Sequence, residues 1–258
     1  MKVRELYCEL EKRIPASLSC EWDNDGLMCC PDGNKIVKKV LIALDVTGKT
    51  VDYAIENKYD LIISHHPLIY RGIKALDGEG YVSAKLLKLV SAGVSVMSFH
   101  TRLDAVEGGV NDKLAAILSL KNTEALFEDG IPLGRVGDLD EKMSVEDFAK
   151  KVKEILGAPF VLLSDANREV QRVAVVGGNG GDLIGTAKKA GADTFVSGRL
   201  DYHSMTDAPD YNSSAINLIE AGHFYTEDPV CEVLKNFVAE IDPDIECDLY
   251  YSNIIKAI

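Results

Sequence analysis

The stretch DLIISHHP (60–67) joins a short apolar run to two adjacent histidines and a proline. The run is too short for a core helix and predicts a strand of a parallel sheet that is buried on both faces. Pro67 has no N–H to donate to a sheet, so the strand should end near the histidines. His65 and His66 are therefore predicted at the carboxyl end of a strand, where open α/β sheets bind ligands. Because consecutive side chains of extended backbone diverge, the two imidazoles would serve two different metal ions.

Similar strands lie on both sides of this stretch. KVLIALD (39–45) and VSVMSF (94–99) are apolar runs, and residues 81–92 have the apolar spacing of a helix that Gly93 would end. Alternating strands and helices predict parallel pairing with right-handed crossovers. One sheet edge should then carry the residues that follow these strands, with Asp104 in a loop over 101–109. These residues are Asp45, His65, His66, His100 and Asp104.

The pattern changes after about residue 123, where short segments rich in glycine indicate edge strands and turns. A capped helix from Ser144 and further strands and helices follow. We predict an α/β protein of two lobes, each a mostly parallel or mixed sheet flanked by helices. The first lobe would comprise 1–123 plus 216–258, with a closing strand at 245–252. The second, inserted lobe would comprise 124–215.

Two further segments carry chemical groups. In GHFYTEDP (222–229), Thr226 is predicted to cap a helix with Pro229 in its first turn, and His223 precedes Glu227 by four residues. The glycines at 177–181 do not match a dinucleotide or phosphate-loop motif. They predict a tight strand-to-helix turn, with contact to an anionic ligand as the alternative.

Composition narrows the classes of function. The chain has 258 residues and a net charge of −13, which argues against general nucleic-acid binding. The N-terminus lacks an apolar signal region, and no run approaches the roughly 18 apolar residues of a membrane span. A cytoplasmic protein with reduced cysteines is expected. Cys29-Cys30 would be buried thiols or, alternatively, a redox or metal pair. Trp22 is expected to be an apolar plug at a domain edge.

The histidines and carboxylates together suggest a metal site. Three of the five histidines follow predicted strands, and His223 is near a carboxylate. Imidazole and carboxylate together suit zinc, iron, manganese or nickel.

Three motifs resemble one known family. IISHHPLIYRGIK (62–74), HTRLDAVEGGVND (100–112) and GHFYTED (222–228) are similar to those of the GTP cyclohydrolase I type 2 homologs, the Nif-three-like family. The resemblance covers nearly the whole chain. It implies the Nif-three-like fold and a toroidal homohexamer built as a trimer of dimers.

The resemblance also implies a site with two divalent metal ions per subunit. Glu227 would bridge them, and His100 and His203 would lie nearby as catalytic candidates that orient groups or move a proton. The implied ligands are His65, His66, Asp104, His223 and Glu227.

The implied activity is hydrolytic opening of the imidazole ring of GTP by a metal-activated water. The alternatives are a non-catalytic metal-binding or metal-delivery protein and a ring-shaped interaction protein. Arg102 stands where the family usually has asparagine, Glu107 where it has proline, and Arg199 where an acidic residue is common. These departures leave the implied metal ligands intact but leave the substrate open.

Overall fold

The computed structural model describes residues 1–210 and 215–258, which form two compact units. Residues 1–106 contain α1 (Val3–Arg13), β1 (Gly26–Cys29), β2 (Lys39–Ala43), α2 (Gly48–Glu56), β3 (Leu61–Ser64), α3 (Tyr81–Ala92), β4 (Ser95–Ser98) and α4 (Thr101–Ala105). Residues 107–229 contain α5 (Val110–Ile117), β5 (Lys121–Glu128), β6 (Ile131–Met143), α6 (Val145–Leu156), β7 (Leu162–Ser164), β8 (Val170–Asn179), α7 (Ile184–Lys189), β9 (Thr194–Arg199), α8 (Tyr202–Asp207), β10 (Asn217–Glu220) and α9 (His223–Glu227). Residues 230–256 return to the first unit with α10 (Val230–Ile241) and β11 (Glu246–Tyr250). None of the helices in these described ranges has the length and apolarity to cross a membrane.

The first unit is built on a mixed sheet. In the described residues its strand order is β1-β4-β3-β2-β11, with β1 antiparallel to β4 and the other neighbours parallel. The predicted parallel pairing of the first three apolar runs is therefore confirmed, and so is the closing strand near the C-terminus. Gly93 adopts φ +67° and ends α3, as predicted.

The apolar runs are buried because helices cover the sheet. Leu41 of β2, Ile62 of β3 and Val96 of β4 share one core cluster with Val51 of α2 and Leu89 of α3. All of these side chains are fully buried. A parallel sheet covered in this way needs strands that are apolar on both faces, which explains the uninterrupted runs.

The second unit has a different sheet. Its described strands follow the order β5-β6-β8-β9-β10-β7, in which β8, β9 and β10 are parallel and the other neighbours antiparallel. Phe148 and Val152 of α6 pack with Val173 and Val175 of β8 and with Ile219 of β10. The predicted class, two α/β sheets flanked by helices, is confirmed.

The second unit is wider than the predicted lobe of 124–215. Strand β10 pairs with β9, so it belongs to the second sheet rather than to the C-terminal return. Leu114 and Ala115 of α5 are in the same core cluster as Phe148, which places α5 in this unit as well. The structure therefore divides the chain at 107 and 229 instead. The amphipathic pattern of α5 could not show which sheet its apolar face would cover.

Candidate metal centre

The ends of three parallel strands in the first unit are in register. Ala43 of β2 pairs with Ser64 of β3, and Ser64 pairs with Ser98 of β4. The residues that follow these ends therefore leave the sheet at the same edge. His65 and His66 follow β3, and His100 follows β4. The predicted edge with histidines at strand ends is present.

The three imidazoles are close together. The ring centroids of His65 and His66 are 4.9 Å apart with their planes tilted by 46°, and the His100 ring lies 5.3 Å from His65 and 5.7 Å from His66. One potential ligand atom from each residue lies within 4.8 Å of those of the other two. His65 is fully buried. The backbone bend after Ser64 thus brings together two side chains that a straight strand would separate.

Each imidazole is oriented by an oxygen acceptor at Nδ1. His65 Nδ1 is 3.0 Å from the carbonyl oxygen of Phe99, and His66 Nδ1 is 2.8 Å from Oδ1 of Asp45. His100 Nδ1 is 2.8 Å from Oδ1 of Asp23. Carbonyl and carboxylate oxygens accept hydrogen bonds, so in neutral imidazoles Nδ1 carries the proton and Nε2 the lone pair. This is the arrangement typical of histidines that bind metals through Nε2.

Asp104 lies beside this cluster. Its Oδ1 is 3.7 Å from Nε2 of His65. The prediction of a loop over 101–109 is wrong at this point, because Thr101–Ala105 form α4 and the N–H of Asp104 donates to the carbonyl oxygen of His100. Helical i,i+4 spacing puts His100 and Asp104 on the same side of the backbone.

Asp23 is a residue whose role the sequence did not reveal. Its side chain is fully buried, and its Oδ2 accepts hydrogen bonds from the N–H and the hydroxyl of Thr101 at 3.1 and 2.7 Å. Burial opposes ionisation of Asp23, but the hydrogen bonds from His100 and Thr101 outweigh it and lower the pKa of this carboxyl group. Asp23 is therefore an ionised partner that orients His100. Asp45, predicted only at the sheet edge, orients His66 in the same way.

Two aromatic side chains border His100 on its exposed side. The centroids of Trp22 and Tyr70 each lie 6.2 Å from that of His100, and the two aromatic rings are 6.4 Å apart. Trp22 is 62% exposed and Tyr70 47% exposed. The expectation that Trp22 plugs a domain edge is therefore wrong. Asp23 is anchored in the protein, and the neighbouring indole is directed outward.

The second unit carries an imidazole and a carboxylate on α9. Nε2 of His223 is 2.9 Å from Oε2 of Glu227, one helical turn later. The Glu227 side chain is only 5% exposed, whereas that of His223 is 44% exposed. The helix predicted to begin at Thr226 is instead divided, with Thr226 inside α9 and Val230 at the start of α10. The hydroxyl of Thr226 accepts a hydrogen bond from the N–H of Gly178 at 3.1 Å.

Glycines near the ends of β8 and β9 make room for α9. Gly178 has φ +63°, and a Cβ at this position would overlap Oε1 of Glu227 and lie 3.2 Å from Cε1 of His223. A Cβ at Gly198 of β9 would lie 2.8 Å from the Cα of His223. The predicted tight turn between β8 and α7 is confirmed, and two glycines allow α9 to approach the strands this closely. Contact with an anionic ligand stays a prediction.

His203, the other catalytic candidate, lies on the exposed face of α8. Its ring is 5.6 Å from that of Tyr202. In the part of the chain that the structure describes, His203 is in none of the histidine and carboxylate clusters suited to a metal ion. Its proposed role near the site stays a prediction.

The donor atoms fit a divalent metal. Three imidazoles with their Nδ1 atoms anchored, together with a nearby carboxylate, are ligands that zinc, iron, manganese and nickel share. An α/β protein of two units with such residues at a sheet edge is a candidate metal-binding protein.

Comparison with known proteins assigns the family. The model of the family described as Duf34/NIF3 (NGG1p interacting factor 3) matches residues 1–257, so the chain belongs to this family. A protein of Clostridium perfringens named GTP cyclohydrolase 1 type 2 homolog is 33% identical over 254 residues, which cover 95% of each chain. Its namesake from Clostridium acetobutylicum is 34% identical over 243 residues, or 91% of this chain and 88% of that one.

A solved structure agrees with the fold. The crystal structure of Staphylococcus aureus hypothetical protein SA1388 matches with a TM-score of 0.89 and 29% identity, covering 100% of this chain and 99% of the other. The predicted family is confirmed.

Proposed function

We propose that the chain is a metal-dependent hydrolase with a two-metal centre. The observation that carries the proposal is the cluster of His65, His66 and His100, in which the two proposed ligands His65 and His66 have their Nδ1 atoms held by oxygen acceptors. Such outer hydrogen bonds fix the tautomer and orientation that metal ligation needs.

The proposed ligands are those that the family resemblance implies. The ligands would be His65, His66, Asp104, His223 and Glu227. The burial of the Glu227 carboxylate supports its role as a ligand. The carboxylate packs so closely against Gly178 that a Cβ at that position would overlap it. Bound divalent ions would lower the pKa of water and polarise substrate oxygen or nitrogen atoms.

His100 would handle protons in this reaction. Asp23 orients its ring through Nδ1, and the ring centroid lies 5.3 Å from that of His65 and 5.7 Å from that of His66. An imidazole in this tautomer accepts a proton at Nε2 and returns it, with Asp23 stabilising the charged ring.

The proposed reaction follows the names of the relatives. The curated relatives are called GTP cyclohydrolase 1 type 2 homologs, and GTP has an electrophilic carbon, C8, in its imidazole ring. One water would add to C8 and break one C8–N bond, which gives a ring-opened formamide. A second water would cleave the remaining C8–N bond, and C8 would leave as formate while the two nitrogens take up protons. His100 would supply or remove protons at the nitrogens.

The test measures formate and metal together. Protein loaded separately with zinc, iron, manganese and nickel is incubated with GTP, and formate is quantified. His66→Ala and Glu227→Ala should lose both turnover and bound metal, while Glu146→Ala, an exposed change on α6, should keep both. If the protein binds metal but none of the four metal-loaded samples releases formate, the proposed hydrolase activity is wrong and a role in metal delivery is favoured. Turnover that survives both ligand changes would show that the centre lies elsewhere.

The assembly and cellular location are separate proposals. The family resemblance supports a homohexamer, a trimer of dimers, in the cytoplasm. Light scattering should give about six times the mass of one chain, and a monomer at all concentrations would contradict it.

A further inference from the structure

Trp22 and Tyr70 form an exposed aromatic pair next to His100. Each ring is nearly perpendicular to the His100 ring, with interplanar angles of 76° for Trp22 and 88° for Tyr70. Rings that meet at right angles touch over only a small area. Trp22 is 62% exposed, so much of its indole surface stays open to solvent. The chain contains one tryptophan, so its largest aromatic surface lies beside the candidate metal centre rather than in the core.

The backbone holds this pair in place. Trp22 precedes Asp23, whose buried carboxylate binds Thr101 and His100. The N–H of Cys20, on the other side of Trp22, donates to the Thr101 hydroxyl at 2.9 Å. Buried anchors on both sides fix the position from which the indole projects.

The second ring is tied to the same loop. The side-chain amide of Asn24 donates to the carbonyl oxygen of Ile69, the residue before Tyr70. This hydrogen bond joins the segment that carries Trp22 to the segment that carries Tyr70. The two aromatic residues are therefore exposed but positioned, as in a preformed binding site.

We propose that Trp22 and Tyr70 bind a planar heteroaromatic ring, such as a nucleobase, and hold it beside His100. This inference rests on the proposed function, for which it names the ring-recognition residues. The Trp22 and Tyr70 rings lie at 74° to each other, so one of them can stack on the face of a planar heterocycle while the other contacts its edge. Such contacts tolerate different bases, whereas an aliphatic substrate has no aromatic face to stack. Arg71 and Lys74, both exposed in the segment after Tyr70, supply positive charge for an anionic substituent on a chain of net charge −13.

The sole tryptophan makes the proposal measurable without turnover. The intact chain, loaded with zinc, is titrated with GMP and with ribose 5-phosphate, which lacks only the base, while Trp22 emission is followed. GMP should quench the emission saturably, and ribose 5-phosphate should leave it unchanged. Calorimetry should give the same dissociation constant for GMP.

Variants separate stacking from general effects. Tyr70→Ala and Trp22→Ala should each weaken GMP binding about tenfold, as expected when one aromatic contact to a base is removed. Tyr81→Ala is the matched control, because Tyr81 is also an exposed aromatic residue, at 87%, but begins α3. Circular dichroism and metal content should be unchanged in all three variants.

The results also distinguish the proposed ring site from the proposed hydrolase activity. Equal binding of GMP and ribose 5-phosphate, or equal losses from the Tyr70 and Tyr81 changes, would overturn the ring site even if formate is released from GTP. Base-dependent binding that requires Trp22 and Tyr70 would support the ring site even if no loaded form releases formate.

Discussion

Nδ1 of His66 lies 2.8 Å from Oδ1 of Asp45, at the ends of two neighbouring parallel strands. The carboxylate accepts the Nδ1 proton and so keeps the lone pair on Nε2. Asp45 thereby acts on the proposed metal centre through His66 and not by ligation. Mutation of residues in this position typically weakens metal binding or activity about 10- to 100-fold.

Asp45→Asn should weaken metal binding about 10- to 100-fold, because an amide can donate to Nδ1 and favour the wrong tautomer. Equilibrium dialysis with zinc measures the change. Asp52→Asn on α2, which removes an exposed ion pair with Lys88, is the control and should leave affinity unchanged. Equal affinities for wild type and Asp45→Asn would contradict the orienting role.

The sequence predicted the sheet edge of this site but not the contacts behind it. Apolar runs followed by polar residues locate strand ends, so the common edge of His65, His66 and His100 could be inferred. The acceptor Asp23 is far from His100 in the chain, and periodicity carries no information on such a pairing. The exposure of Trp22 was missed for the same reason, because it depends on where Asp23 is anchored. Local sequence patterns were enough to predict the fold class. The hydrogen-bond partner of each imidazole depends on the tertiary structure, which local patterns do not encode.

The close packing of Glu227 against Gly178 gives a second prediction. Gly178→Ala places a Cβ against Oε1 of Glu227 and forces alanine into a left-handed conformation at φ +63°. The backbone cost is about 1–2 kcal/mol, and the carboxylate must move. We expect lower stability in urea and a lower metal content per chain.

A matched glycine in α7 serves as the control for this change. An added Cβ at Gly185 meets no atom within 4 Å, and its backbone is helical. Gly185→Ala should therefore raise helix stability by up to about 1 kcal/mol and keep the metal content. If Gly178→Ala bound metal as wild type does, the proposed ligand role of Glu227 would lose its structural support.

Arg102, which departs from the family pattern, has a structural role. It is 1% exposed, and its Nε donates to Oδ2 of Asp25 at 3.0 Å while Nη1 donates to the carbonyl oxygen of Ile14 at 3.2 Å. Arg102→Met would leave the buried Asp25 carboxylate without its cation. The free energy of unfolding should fall by about 3–5 kcal/mol.

A double-mutant cycle checks this explanation by urea unfolding. Arg102→Met combined with Asp25→Asn should cost less than the sum of the two single changes, because the uncompensated charge is gone. Arg13→Met removes an exposed pair with Glu240 and should cost less than about 1 kcal/mol. Strict additivity in the cycle would rule out direct coupling of Arg102 and Asp25.

The cysteines should differ in reactivity according to burial. Burial, with a smaller contribution from Cys30, raises the pKa of Cys29 to about 11, and burial raises that of Cys247 to about 11. Cys8 is exposed. At pH 8 iodoacetamide should modify Cys8 first, because a rise of two pKa units lowers the thiolate fraction about a hundredfold. Peptide mass spectrometry over time gives the rates, and a Cys29 rate equal to that of Cys8 would contradict the buried environment.

Asp60, the first residue of the stretch before the paired histidines, should make stability depend on pH. Its Oδ2 accepts the backbone N–H groups of Lys38 and Lys39 at 2.9 and 3.1 Å, and its Oδ1 is 2.9 Å from Nζ of Lys35. Partial burial opposes ionisation, but these hydrogen bonds outweigh it and lower the pKa of Asp60. The folded state thus holds the proton less tightly than the unfolded state. The stabilisation is complete above the unfolded pKa of about 3.9 and is lost as the pH falls through the lower folded pKa.

Asp60→Asn should therefore destabilise the protein most at neutral pH, and the difference from wild type should shrink as the solution is acidified below about pH 5. Urea unfolding at several pH values, with Asp140→Asn as an exposed control on β6, measures this dependence. The control should give a difference near zero throughout. A wild-type advantage over Asp60→Asn that grew on acidification would have the opposite sign to the one required by a lowered carboxyl pKa, and would show that the amides of Lys38 and Lys39 do not stabilise the ionised form.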